Sequence, residues 1–293
     1  MNSARPVLVC TGVEGNLDFD AAIGAARAVV SAEAADPLIR PGGHSRVLSH
    51  GSRTRRSVLL LHGYTHTPAQ FDGLAATYFA RGYNVWIPRA PNHGTTDPAA
   101  QHLITATALL RYADAAMTVA AALGEEPGVV GISGGAVLAT WLGQAPDGAV
   151  RDLLLLSPFF APDPAHAPAA MVRPMTVLYG RRLLPDRFTS RGYSMRAASQ
   201  YLRIARQLGR PRRTALRSIA VAISERDGVV DPAAAIRVPR GIADANGIPL
   251  GVLTLPAALG IGHDTLGHDT TGPELYARYL ELYENGAGEN EAA

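Results

Sequence analysis

The chain contains no lysine. All 27 of its basic side chains are arginine, which excludes Schiff-base catalysis and a P-loop lysine. Genome composition accounts for such a bias, because arginine codons are GC-rich. There is one cysteine, Cys10, so no intrachain disulfide can form. It ends the apolar run Pro6-Val7-Leu8-Val9 and reads as a packed side chain rather than a nucleophile. No segment offers the ~20 uninterrupted apolar residues of a membrane span. Leu109 to Leu123 comes nearest, and Arg111 and Asp114 interrupt it. No basic stretch followed by a long apolar run opens the chain, so no signal peptide is expected. Charge of one sign is also lacking: the net charge of +2 gives no global attraction to nucleic acid. These absences lead to an expectation of a cytoplasmic monomer or weak homodimer acting on a small molecule, with no nucleic-acid partner and no membrane span.

The 293 residues are 47% hydrophobic and 18% charged, the balance of a folded protein. That length suits one large α/β domain, or one domain with an inserted subdomain. Short apolar runs at Val58–Leu61, Gly82–Pro88, Gly128–Ile132, Asp152–Ser157, Ile219–Ser224 and Leu250–Leu255 read as buried strands. Helical patterns lie between them at Phe71–Ala80, Thr107–Leu123 and Ala136–Leu142. A closing helix spans Pro273–Tyr283, with proline at its first turn. Alternation of this kind predicts a mostly parallel sheet flanked by helices.

Three stretches stand apart. Residues 1–44 hold a helical pattern from Asp18 to Ala34, with Asp18 or Asp20 as its cap, and read as an extension packed on the core. The core is expected at 45–157 and 218–285. Residues 158–217 read as an insertion: strand signals fade, Ser194–Leu208 is helical, and thirteen arginines face three acids between Arg151 and Arg217. Residues 286–293 read as a frayed tail.

The chemistry-bearing motif is Gly131-Ile132-Ser133-Gly134-Gly135, a G-x-S-x-G between a strand and a helix. The turn is strained, so the serine needs neighbours without Cβ. A serine hydroxyl attacks only when a base takes its proton, a third group holds the base, and donors await the oxyanion.

Five segments occur in order: Leu61-His62-Gly63-Tyr64, Pro88-Arg89-Ala90-Pro91-Asn92-His93-Gly94, the serine turn, Asp227-Gly228-Val229-Val230, and Gly262-His263-Asp264. Over residues 45–284 the chain resembles the α/β-hydrolase superfamily, nearest to bacterial carboxylesterases and monoacylglycerol-lipase-like serine hydrolases. The resemblance implies the α/β-hydrolase fold with a helical cap at 158–217, and an order of nucleophile, acid and base of Ser…Asp…His. It implies Ser133 as nucleophile and the N–H groups of Tyr64 and Gly134 as the oxyanion hole. It assigns His62 to holding the loop rather than to acting as base, and His93-Gly94 to a structural turn. The Tyr64 side chain either lines the acyl pocket or packs.

For the acid, Asp227 follows a strand end directly; Asp231 precedes Pro232 and alanines, as a helix N-cap does. Asp227 is preferred, with Glu225 a remote third. For the base, His263 and His268 are both followed by aspartate, and His263 lies nearer its strand. His263 is preferred. A metal site built from His263, Asp264, His268 and Asp269 is disfavoured, because they lie in a glycine-rich loop and no H-E-x-x-H or C-x-x-C occurs. No cofactor is expected. Phe159 and Phe160 are candidates to bind an acyl chain, with Met171, Met175, Leu183 and Leu184 either beside them or forming the insertion's own core. The expected activity is hydrolysis of a short- to medium-chain or monoacylglycerol-like ester through an acyl-enzyme. The alternatives are a thioesterase or acyltransferase drawing an anionic thioester to the arginines, and a catalytically silent binding module.

Overall fold

A computed structural model of the chain describes residues 17–146, 148–189, 192–267 and 272–286. Cys10, His268, Asp269 and the tail beyond Gly286 lie outside them. The chain begins with helix α1 (Phe19–Ala34), whose cap is Asp18: its carboxylate accepts the Ala21 N–H. Strands β1 (Arg46–Leu48), β2 (Thr54–Leu61) and β3 (Asn84–Ile87) follow, with α2 (Asp72–Ala80) between the last two. Next come α3 (Ala106–Leu123), β4 (Gly124–Ile132), α4 (Gly134–Gly143) and β5 (Asp152–Leu156). Helices α5 (Ala169–Gly180) and α6 (Met195–Gln207) separate β5 from β6 (Ser218–Ser224). The chain closes with α7 (Pro232–Asn246), β7 (Leu250–Leu255) and α8 (Pro273–Asn285).

The seven strands form one sheet in the order β1-β3-β2-β4-β5-β6-β7. Only β1 runs antiparallel, pairing Val47 with Trp86 of β3. Parallel neighbours need crossover helices, which cover both faces, and the strand residues divide accordingly. Leu59, Leu61, Val129, Leu153, Leu155 and Val221 face α1, α3, α4, α6 and α7. Their alternate neighbours Val58, Leu60, Val130, Leu154, Leu156 and Ala220 face α2 and α8. Every one of these side chains is buried. No described helix is long and apolar enough to cross a membrane.

The strand order reverses at β2. From β2 the chain steps outward to β3, then returns to place β4 on the other side. Loops leaving the carboxyl ends of β2 and β4 therefore part, and a crevice opens between them. His62–Thr65 and Ser133 occupy those two ends.

In the segment between β5 and β6, α6 carries Ala197, Tyr201 and Ile204 on one face, and these pack into the apolar layer with α4 and α3. Helix α5 packs on α6. Met171 and Leu183 do not join an apolar core: they are exposed, 52% and 63%. The turn around Leu183 has no layer above it.

Helix α1 is fixed to the sheet by a buried ion pair. Arg89, just past β3, meets Glu33 at 3.1 Å, and the second Glu33 oxygen accepts the Ser45 N–H and hydroxyl at 2.7 and 2.6 Å. Arg89 also donates to the His93 carbonyl, so one guanidinium ties α1 to the loop behind the crevice. Removing one partner of a buried pair strands the other charge, at a cost of about 3–5 kcal/mol. Glu33→Ala is expected to lower the urea-unfolding free energy by roughly 3 kcal/mol; a change within a few tenths would show that the pair does not hold the helix.

Candidate active site

Ser133 sits at the sharp turn from β4 into α4, with φ 55° and ψ −115°. A non-glycine residue in that region is strained by about 1–3 kcal/mol, and the surroundings hold it there. Its N–H donates to the Leu156 carbonyl of β5 at 2.9 Å, and its carbonyl accepts from Phe159 at 3.2 Å. The glycines around it answer to sterics. A Cβ on Gly135 would lie 2.0 Å from the Leu61 carbonyl oxygen, and one on Gly131 would lie 2.4 Å from the Gly135 oxygen. Gly134 opens α4, so its N–H has no carbonyl one turn earlier to bond.

Three groups meet at this turn. His263 Nε2 lies 2.8 Å from Ser133 Oγ, and His263 Nδ1 lies 2.9 Å from Asp227 Oδ2. A carboxylate only accepts, so Nδ1 carries the proton and Nε2 is left to accept from the serine hydroxyl. Asp227 is almost fully buried, its side chain 2% exposed. Burial pushes its pKa up. The hydrogen bond and electrostatic attraction of His263, with the Val229 N–H on the other oxygen, outweigh this and hold the carboxyl below the usual aspartate range. The Ser157 hydroxyl adds to the same effect. It is fully buried at the end of β5.

The other candidate acids lie apart. Asp231 caps α7, its carboxylate accepting from the N–H groups of Ala233 and Ala234. Glu225 accepts from the Ala257 N–H. Among the described residues no group of His, Cys, Asp and Glu side chains could hold a metal ion.

A small cavity of about 60 Å³ opens at the serine. Ile132, Phe159, Ala198 and Val229 give it apolar walls, while Thr65, His66, Gln70 and Asp264 line it with polar groups. Phe160 is not among the lining residues. It is 8% exposed and packs in the core layer on the α4 side of the sheet. Phe159 packs against the same apolar layer but is only partly buried, and of the two it alone borders the space.

The loop after β2 is held from several directions. Gln70 accepts the Gly63 N–H at 2.8 Å and donates to Asp264, which also pairs with His66 at 3.3 Å. Thr65 takes φ 79°, an uncommon backbone for a β-branched residue. The Tyr64 hydroxyl donates to Gln101 and accepts the Ser194 N–H at 2.8 Å. Ser194 is the N-cap of α6. The sequence carries no sign of Gln70, Asp264 or Ser194 in these roles, because the Gln70–Asp264, His66–Asp264 and Tyr64–Ser194 contacts join residues remote in the chain.

Two buried histidines brace this loop. His62 Nε2 accepts the Ala90 N–H, and its Nδ1 donates to the Gly63 carbonyl. His93 Nδ1 donates to the Pro91 carbonyl, and its Nε2 accepts the Tyr201 hydroxyl. Each ring nitrogen is matched to a neutral imidazole. Burial pushes the His62 pKa well down and that of His93 to about 4.

Comparison with known proteins agrees with this architecture. Residues 58–288 match the sequence model of the alpha/beta hydrolase family. The chain belongs to that family. No curated protein matches the chain. Among solved structures, it is similar to one reported for LipS and LipT, two metagenome-derived lipolytic enzymes. The identity is 21% and the TM-score 0.62, covering 84% of this chain and 99% of that one. It is similar to a soluble variant of monoglyceride lipase from Saccharomyces cerevisiae in complex with a substrate analogue, at 13% identity and TM-score 0.62, covering 82% and 88%. It is also similar to the monoacylglycerol lipase of Paleococcus ferrophilus, at 17% and 0.62, covering 83% and 100%. At these identities the likeness is one of fold.

The buried histidines set an acid limit on stability. A histidine with a depressed folded pKa binds its proton more readily when unfolded. The stability it contributes is intact above the unfolded value near 6.5 and is lost as pH falls toward 4. The urea midpoint is expected to drop across that window, and His93→Gln to flatten part of the drop while lowering stability at neutral pH. An undiminished pH slope in the variant would remove His93 from the account.

Proposed function

We propose that this α/β hydrolase is a serine esterase that cleaves a carboxylic ester through an acyl-enzyme. The observation that carries this reading is the unbroken line Ser133 Oγ–His263 Nε2–His263 Nδ1–Asp227 Oδ2, with links of 2.8 and 2.9 Å. His263 takes the hydroxyl proton as Ser133 attacks the carbonyl, and Asp227 stabilises the imidazolium. The N–H groups of Tyr64 and Gly134 receive the negative charge that develops on the carbonyl oxygen. Collapse of that intermediate expels the alcohol, which takes the proton from His263. Water then repeats the sequence to release the acid. Within this reading residues 158–217 form a cap, since Tyr193 and Ala198 reach the cavity. The cavity's modest volume and the apolar walls at Phe159 and Val229 favour a short acyl chain.

The relatives in fold that act on lipids support an ester over other hydrolase substrates. A p-nitrophenyl ester series and a fluorophosphonate probe test the reading together. Ser133→Ala is expected to lose on the order of 10⁶-fold in kcat and all labelling, with its unfolding midpoint near that of the parent. Near-normal turnover in that variant would overturn the mechanism. A preference for acyl thioesters over esters of equal chain length would keep the mechanism and change the substrate.

A further inference from the structure

Seven large apolar side chains are exposed among the described residues, and four of them crowd into the stretch 171–188: Met171, Val177, Leu183 and Phe188. Their neighbours are Arg173, Arg181, Arg182 and Arg187, all exposed. Along α5, Met171, Arg173, Val177 and Arg181 fall on one arc at 100° per residue, opposite the buried Thr176 and Tyr179. The stretch has a single carboxylate, and that one is turned inward. Asp186 accepts the Ser194 hydroxyl and the Arg196 N–H at the start of α6, so it offers nothing to the outer arginines. Arg182 reaches the His102 carbonyl, beside exposed Leu103, which extends the same face.

A solvated surface would mix charges of both signs and hide its large apolar groups. A surface for a soluble anion alone would use arginines without exposed leucine, phenylalanine and methionine between them. Interleaved cations and bulky apolar side chains suit a phase whose outer layer is anionic and whose inner layer is apolar. We propose that the outer face of α5 and the turn after it dock on an anionic lipid surface. The arginines lie at the level of the lipid phosphates, and Met171, Val177, Leu183 and Phe188 enter the acyl boundary. The docked face adjoins the site: Phe188 pairs in a β-bridge with Ser194, the neighbour of cavity-lining Tyr193. Binding needs no turnover, so it stands apart from the esterase reading.

Flotation with vesicles tests the proposal, using phosphatidylcholine alone and equal parts phosphatidylcholine and phosphatidylglycerol. The full chain is expected to float with the anionic vesicles and not with the neutral ones, and Ser133→Ala to float like the parent. Arg181→Gln with Arg182→Gln is expected to weaken partitioning by about 30-fold. Leu183→Ser with Met171→Ser is expected to weaken it at least about tenfold. All four positions are exposed, so unfolding midpoints should hold. No flotation with anionic vesicles would overturn the proposal. So would flotation abolished by salt yet untouched by Leu183→Ser and Met171→Ser, which would mark a surface for a soluble polyanion instead.

Discussion

The first turn of α4 lies against the end of β2 with no room for a side chain between them. Position 135 meets the Leu61 carbonyl at a distance a Cβ cannot tolerate, and position 131 meets Gly135 in the same way. That contact forces the chain to leave β4 abruptly, and the abruptness puts Ser133 in a backbone region it would not choose. The sheet makes the conformation affordable. Leu156 on β5 takes the serine N–H, and the serine carbonyl takes Phe159. Asp227 and His263 then arrive from the ends of β6 and β7, the next strands in line, so the order of the sheet decides which loops can reach the turn.

Burial acts on the ionisable groups here with opposite results. Asp227 loses water but gains His263 and a backbone N–H, and its charge survives. His62 and His93 lose water and gain only partners suited to a neutral ring, and their charge is suppressed. Partners, more than depth, separate a buried group that keeps its charge from one that stays neutral and braces a loop.

Much of this was legible in the residues, and the gaps have physical reasons. The apolar cores of the strands announce themselves, but their ends do not. β2 begins at Thr54 and runs through Arg55 and Arg56, and β4 begins at Gly124 rather than Gly128. Those ends extend past the apolar layers, where Arg56 is held by Glu284 and the Tyr83 hydroxyl, so polar residues continue the ladder. Helix α5 is masked by Pro174, which the helix tolerates on its outer side. Ser133, Asp227 and His263 could be picked out because each follows a recognisable strand. The division between Phe159 and Phe160 could not, since only the tertiary packing says which of two adjacent phenylalanines borders the open space. The polar chain from His66 through Asp264 and Gln70 to Gly63 joins residues nearly two hundred positions apart, and local pattern has no access to it.

The Tyr64 hydroxyl bonds Gln101 and the first N–H of the α6 cap, while its backbone stands two residues past His62 at the mouth of the crevice. One side chain thus serves as a tie-rod between the floor of the site and the segment above it. If Ser194 swings away, Tyr64 is left anchored on one side only, and the strained turn at Thr65 is free to relax. Access and readiness then trade against each other. Within the proposed esterase reading, a shift of the α6 cap that opens the site also slackens the loop proposed to receive the carbonyl oxygen.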